Sequence, residues 1–233
     1  MIRELDATAK YVLGDKFDCS KVKAKSKNKL YLFTKRLFDI IVSFLCCIFL
    51  IPITLIIKIA YMLNGDFHRI IFVQERIGKD GKLFKFYKYR SMVVNADEVL
   101  KEMLAKDKEL AREYRINKKL DNDPRITKVG KIIRRTSIDE LPQLINIFLG
   151  DMSFVGNRPY LPREKKDMGK YFDDIVKTKP GLTGFWQCSL RSRGTFLDRL
   201  KMEQYYSKHQ GFRFDVSIFF KTFSVVLGRD GAK

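Results

Sequence analysis

Between Ile40 and Leu63 the chain reads IIVSFLCCIFLIPITLIIKIAYML, an apolar run whose sole charge is Lys58. A stretch of this length and composition is built for a bilayer core. A secretory signal is a poor reading, because 39 residues precede the run and no small-residue cleavage pattern follows it. Pro52 falls near its middle, where it removes a backbone donor and crowds the preceding turn, so a bend is expected there. Each leg would then reach ~18 Å at ~1.5 Å per residue, little more than half of a ~30 Å hydrocarbon core.

The flanks favour the same geometry. Lys21, Lys23, Lys25, Lys27, Lys29, Lys35 and Arg36 precede the run, with no acid from Cys19 to Phe38, and Arg69, Arg76, Lys79, Lys82 and Lys85 follow it. Basic residues on both sides satisfy the positive-inside tendency only if both ends stay on the cytoplasmic side. The sequence therefore predicts a re-entrant, monotopic hairpin over residues 34–63, broken at Pro52, rather than a straight crossing. A basic arm over residues 1–33 precedes it, and a domain over residues 64–233 follows on the cytoplasmic face.

Charge narrows the partners. Lys plus Arg number 46 against 27 acids, a net +19, so the partner is anionic: nucleic acid, acidic lipid or a phosphorylated small molecule. Cys19, Cys46, Cys47 and Cys188 show no metal-ligand spacing, which suggests a reducing compartment and no zinc. No DNA- or RNA-binding motif is recognisable, so a nucleic-acid partner is not expected.

Beyond the apolar run, IIFVQERIG and LFKFYKYRSM read as two strands joined by a turn at Lys79-Asp80-Gly81-Lys82. Residues 96–120 alternate charges at helical spacing. Leu141, Leu144, Ile145 and Phe148 predict a short amphipathic helix stopped by Gly150. Phe212 to Gly228 is aromatic-rich and fits a core helix and an interfacial one equally well.

Asp139 and Glu140 stand in RRTSIDELPQL, just before that short helix. Ser137-Ile138-Asp139-Glu140 has the spacing of a capping box, which would make the acids helix punctuation. Their company argues for chemistry as well. Arg134 and Arg135 precede them, and Asp123-Pro124-Arg125, Gly156-Asn157-Arg158-Pro159 and Lys179-Pro180-Gly181 are loops that place cations beside backbone-fixing residues. Cations near a helix start form an anion site, and an aspartate held there can attack phosphorus once charge repulsion is neutralised. A divalent cation would assist that neutralisation.

These segments, from KRLFDIIVSFLCCIFLIPITLIIK through FVQERIGKDGKLFKFYKYRSM and DPRITKVGKIIRRTSIDELPQLINIFLGDMSFVGNRP to KPGLTGFWQ, resemble the bacterial sugar transferases, the monotopic polyprenyl-phosphate phosphoglycosyl transferases. The likeness runs over roughly residues 34–228, and it is to the short form, with an extra basic arm. It implies transfer of a sugar-1-phosphate from a UDP-sugar to a polyprenyl phosphate such as undecaprenyl phosphate, with release of UMP, as the first membrane step of surface glycan or exopolysaccharide synthesis. It implies Asp139 as the nucleophile that carries the phosphosugar, Glu140 as its partner, and magnesium at Asp139. Arg135 and Arg158 become the first phosphate-binding candidates, followed by Lys88, Arg90 and Arg125. Trp186 and Gln187 would shape the nucleotide pocket, with a core or interfacial role the equal alternative for Trp186, the sole tryptophan of the sequence.

The implied architecture is mixed α/β: a small catalytic domain on a re-entrant membrane hairpin with interfacial amphipathic helices, at the cytoplasmic face of the bacterial inner membrane. Self-association is left open. A membrane-anchored scaffold or anion-binding protein without catalysis is the alternative if the acids only cap a helix. Two positions depart from the family pattern. Ile51 replaces the usual serine before the hairpin proline, removing a hydroxyl that could satisfy a freed carbonyl. Asn157 replaces a proline, which predicts a looser loop around Arg158.

Overall fold

The computed structural model describes residues 29–117, 120, 123–189 and 194–227. The basic arm up to residue 28, Gly228 and the C-terminal residues beyond it lie outside the described residues. Helix and strand are mixed, with helix predominating and one long apolar helix at the start. The chain forms two compact units that each draw on separated segments, so each is described in turn.

Helix α1, Lys29–Leu63, contains the whole apolar run. Helical conformation continues through Pro52, so the proline does not divide it into two elements. Close to the proline, the Thr54 hydroxyl donates back to the Leu50 carbonyl (2.6 Å), an ordinary i−4 bond within the helix. Asn64 and Gly65 close the helix, the Gly65 N–H returning to Met62 O at 2.9 Å. Only 17% of its most apolar window is buried, where the core helix of a water-soluble domain would be mostly covered. Phe49, Ile51, Leu55 and Ile56 are all more than 60% exposed. An apolar surface of this extent calls for hydrocarbon, and α1 associates the chain with a membrane.

Strands β1 (Ile71–Ile77) and β2 (Leu83–Tyr89) pair as the expected hairpin. Its turn carries positive φ at both Asp80 (56°) and Gly81 (76°), the twist that Asp-Gly accommodates. The charged segment that follows forms α2 (Ala96–Lys106) and α3 (Lys108–Asn117).

One unit takes in residues 49–72 and 87–142. Its core joins Ile57 and Tyr61 of α1, Ile70, Tyr89, and Val129 and Ile133 of α4 (Lys128–Arg135). Thr127 caps α4 by accepting the Gly130 N–H at 2.9 Å. A Cβ on Gly130 would fall 1.9 Å from the Ser91 carbonyl oxygen, so only glycine lets α4 close onto the chain leaving β2.

The other unit takes in, among the described residues, 29–48, 73–86, 143–189 and 194–227. Here α5 (Gln143–Leu149) is fastened by Asn146, fully buried, whose Nδ2 donates to Lys85 O at 2.6 Å. Gly150 follows α5 as expected, with φ 99°, and Arg36 donates to the Ile147 and Phe148 carbonyls at 2.6 and 2.8 Å, satisfying that helix end. The buried face of α5 differs from the expected one. Gln143, Leu144, Asn146 and Ile147 are inside, while Ile145 and Phe148 are exposed at 39 and 40%. The shift follows from the helix starting at Gln143 and from the Asn146 anchor, which turns its own side inward.

Strand β3 (Ser153–Val155) pairs in parallel with β4 (Gly181–Thr183), Ser153 opposite Gly181 and Val155 opposite Thr183. Short helices α6 (Lys165–Met168) and α7 (Phe172–Ile175) lie between them in sequence, and α8 (Phe185–Ser189), α9 (Phe196–His209) and α10 (Phe212–Leu227) follow. Helix α10 answers the open question about its role with two faces: Phe214 and Ile218 are buried, whereas Phe212 and Phe220 stand 69 and 65% exposed. Its Asp215 is paired with Lys35 of α1 and accepts the Tyr206 hydroxyl at 2.8 Å.

Candidate active site

The acidic pair sits on a 3-10 turn, Ile138–Glu140, that follows α4 directly. The capping box is not formed. Ser137 adopts φ 57°, its side chain makes no capping bond, and the following helix begins only at Gln143. The reason is positional: Ser137 is used to reverse the chain after α4, its N–H bonding Arg134 O at 3.1 Å, so it lacks the extended conformation of a cap. Glu140 is thereby free of the capping role and points to Lys88, whose Nζ lies 2.8 Å from Glu140 Oε1.

Asp139 is 8% exposed, and the same lysine stands 3.9 Å from its Oδ2. Burial pushes the Asp139 carboxyl above the usual aspartate range, opposed by Lys88, reinforced by the negative charge of Glu140, and opposed again by Arg134. Lys88 therefore has a physical task here, which is to offset the burial of Asp139 while pairing with Glu140. Arg134 is the cation that sequence reasoning passed over in favour of Arg135. Its Nε is held by Ser91 Oγ at 2.8 Å and its charge is felt at Asp139, although Arg134 and Arg135 are both exposed at the end of α4. The difference between them rests on the contact with Ser91, 43 positions away, which no local pattern encodes.

Arg90 and Arg125 have protein partners on every guanidinium nitrogen. Arg90 donates to Arg69 O (2.8 Å), Met92 O (3.0 Å) and Asp66 Oδ2 (2.8 Å), and it lies over the Tyr61 ring. Arg125 grips Asp123 through two bonds of 2.8 and 2.6 Å and reaches Ala96 O at 3.2 Å. Buried and satisfied, both brace the loops of their unit, and that commitment sets them apart from free phosphate ligands.

Arg158 belongs to the other unit, on a loop that is pinned rather than loosened. Asn157 is 3% exposed, and its Nδ2 lies 3.1 Å from Ile175 O, 3.1 Å from Thr178 Oγ1 and 2.6 Å from Ser207 Oγ. An amide with buried acceptors replaces the rigidity that a proline would have supplied, which corrects the expectation of a loose loop. Gly156 and Gly181 meet so closely that a Cβ on Gly181 would fall 2.1 Å from Gly156 N, so the KPG and GNRP segments are bound into one backbone knot.

Trp186 is 4% exposed, with the Arg199 guanidinium 5.4 Å from its ring, and the half-buried Gln187 donates to Leu182 O at 3.3 Å. The tryptophan thus supports an arginine rather than presenting its face to solvent.

A family profile described as bacterial sugar transferase matches residues 30–229, nearly all of the described chain. The chain belongs to the bacterial sugar transferase family. Among the sugar transferases it is 46% identical over 203 residues to an undecaprenyl-phosphate galactose phosphotransferase of Salmonella typhimurium, covering 86% of this chain and 42% of that protein. It is 36% identical over 193 residues to the exopolysaccharide production protein ExoY of Sinorhizobium fredii, covering 83% of this chain and 85% of that one. It is 33% identical over 196 residues to a UDP-glucose:undecaprenyl-phosphate glucose-1-phosphate transferase of Escherichia coli, covering 81% of this chain and 39% of that one. The chain thus spans less than half of the Salmonella and Escherichia proteins and most of the Sinorhizobium one.

Proposed function

We propose that this sugar transferase moves a hexose-1-phosphate from a UDP-sugar to a polyprenyl phosphate, undecaprenyl phosphate being the first candidate, and so starts a surface glycan or exopolysaccharide. The observation that carries the reading is the buried Asp139 beside Lys88 and Glu140, in a chain related to proteins named for this transfer. An Asp139 oxygen attacks the phosphorus bearing the sugar, and the bond from that phosphorus to the bridging oxygen breaks, so that UMP leaves with the bridging oxygen. A phosphate oxygen of the polyprenyl phosphate then attacks the same phosphorus, breaking the aspartyl bond and restoring the carboxylate.

Lys88 and Arg134 favour the ionised aspartate needed for the first attack, and Lys88 orients Glu140 beside it. Arg135, exposed at the C-terminal end of α4, is the phosphate ligand proposed for this unit.

Among the described residues no three or more His, Cys, Asp or Glu side chains gather into a self-contained metal cage. The adjacent Asp139 and Glu140 still fit magnesium, which uses one or two carboxylates and fills its remaining positions with water and substrate phosphate oxygens. Bound there, the ion would supply neutralisation of the diphosphate charge.

The membrane reading extends to a monotopic anchor, with α1 bending within the bilayer at Pro52 and both ends on the cytoplasmic face. The exposed Phe212 and Phe220 of α10 would rest at the interface. Labelling of single cysteines placed at either end of α1 in intact cells tests this: protection of both from an impermeant reagent fits, and reaction of just one denotes a crossing.

The reaction is tested by UMP release from UDP-galactose and UDP-glucose with undecaprenyl phosphate and magnesium, wild type beside Asp139→Asn. Wild type releases UMP, and the variant loses activity on the order of 10³-fold or more. Chelation of the metal should silence the wild type, with recovery on adding magnesium back. Equal release by both proteins removes Asp139 as nucleophile.

A further inference from the structure

The outward side of α5 is apolar, with Ile145 39%, Phe148 40% and Leu149 61% exposed. It does not stand alone. The Phe148 ring lies 6.0 Å from that of Phe44, which is itself 54% exposed on the helix that associates the chain with a membrane. The end of α5 and this part of α1 belong to the same unit and share one apolar surface. Such a surface, continuous with a bilayer-facing helix, calls for lipid rather than water.

Charge enters at one edge of it. Arg36 precedes Phe44 by about two helical turns, and its bonds to the Ile147 and Phe148 carbonyls use two of the five N–H groups of a guanidinium. Lys179, from the Lys179-Pro180-Gly181 loop, has no task in the proposed transfer, and it comes to the same place. A Cβ on Gly150 would stand 3.2 Å from Arg36 Nη2 and 3.6 Å from Lys179 Nζ, so the two cations meet at the end of α5. Lys179 is half-buried, and among the described residues its ammonium has no hydrogen-bond or ion-pair partner. Arg36 and Lys79 repel it, while Asp39 and Asp151 attract it without closing an ion pair. Asp39 is occupied by the Ser153 hydroxyl and the Phe154 N–H, each 3.1 Å away, and Lys79 stands 3.8 Å from Asp80. Burial, with the Arg36 charge behind it, pushes the Lys179 ammonium below the usual lysine range. A half-buried lysine beside an arginine, with no counter-ion in contact, costs free energy that an anion would return.

We infer that Arg36 and Lys179 form a headgroup site for an anionic glycerophospholipid, the phosphodiester taken by the two cations and the acyl chains laid along Phe44, Phe148 and Leu149. The adjoining of charge and apolar surface selects this occupant, because an amphiphile satisfies both and a soluble anion satisfies one. A zwitterionic headgroup brings its own ammonium to the phosphate, so the preference runs to lipids of net negative charge. The site stands apart from the proposed transfer, needing neither a UDP-sugar nor magnesium, and it lies in the unit that does not contain Asp139.

The test is thermal unfolding of the full chain in a non-ionic detergent, titrated with dioleoyl phosphatidylglycerol, dioleoyl phosphatidylcholine, farnesyl phosphate and inorganic phosphate. Phosphatidylglycerol should raise the wild-type unfolding temperature by about 3–6 °C at tenfold its Kd, and phosphatidylcholine should raise it much less. Lys179→Gln should weaken the Kd for phosphatidylglycerol by about 5–10-fold, while Lys179→Arg, which keeps the charge, should retain it. Leu149→Gln changes an exposed side chain and should also weaken binding by loss of chain contact, which gives an independent readout if Lys179→Gln fails to fold. An equal response in wild type, Lys179→Gln and Leu149→Gln would mean diffuse attraction to a chain of net charge +19 and would overturn the site. So would a Lys179-dependent response to farnesyl phosphate or inorganic phosphate that phosphatidylglycerol fails to reproduce, since the cations would then serve a phosphate from a source other than the bilayer.

Discussion

Four arginines divide between the two units in a way that separates structure from function. Arg90 and Arg125 are deeply buried, and each guanidinium nitrogen has a protein acceptor. Arg158 and Arg199 are half-buried, and each carries a buried Nε with no partner. Residue type is alike in the two pairs, and depth of burial together with hydrogen-bond completion tells them apart. A satisfied guanidinium is finished with its task when the chain folds, whereas a half-buried one with an unpartnered Nε is less firmly committed to the fold. The largest effect that could break this division is at Arg125. Arg125→Ala should cost about 3–5 kcal/mol of stability, since it leaves the buried Asp123 carboxylate without its counter-ion. Thermal unfolding in detergent checks this, and a fully stable variant would mean that the bidentate pair is ornamental.

The complementary experiment is at Arg158. Arg158→Lys retains a positive charge but loses the planar fork, so the KM for the UDP-sugar should rise about 10–100-fold while the unfolding temperature stays near that of wild type. Arg125→Lys should behave the other way, losing stability before it loses substrate affinity. If Arg158→Lys unfolded as readily as Arg125→Lys, the distinction between fully and partly partnered arginines would fail.

The features legible in the sequence were those determined by neighbours in the chain. The Asp80-Gly81 turn follows from which residues tolerate positive φ, and the apolar run of α1 follows from its own composition. Asp139 and Glu140 were found by pattern, yet the reason for their burial was not visible. Their lysine partner comes from β2, with 52 positions between Lys88 and Glu140 in sequence number, and Glu203, which accepts the Arg158 N–H, is 45 positions beyond it. Such pairings depend on how α4 and α9 pack, and no local period encodes them. Ser137 is the instructive failure. Its spacing to Glu140 matched a capping box, but the end of α4 claimed it for a left-handed turn, and a residue cannot hold both conformations. Asn157 gives the opposite lesson. A lost proline suggested looseness, whereas acceptors contributed by three separate residues, two of them buried, make that position firm.

The smallest expected effect concerns what the buried carboxylate costs the fold. Burial holds the Asp139 carboxyl above the ordinary aspartate range despite Lys88, so the folded chain retains a proton over a window in which the unfolded chain has already lost it. Within that window the folded state binds more protons, and stability falls as pH rises through it. Asp139→Asn removes the titration. Its unfolding temperature should therefore exceed that of wild type at neutral pH, and the two should converge as pH drops below the unfolded aspartate range. Glu140→Gln should not reproduce the gain, because Glu140 is more exposed and already paired with Lys88 at 2.8 Å. Unfolding curves of the three proteins across pH, recorded in one detergent, decide the matter. A variant that lost UMP release and gained stability would identify Asp139 as a residue kept for chemistry at the expense of the fold, whereas a loss of stability at neutral pH would return it to structural punctuation.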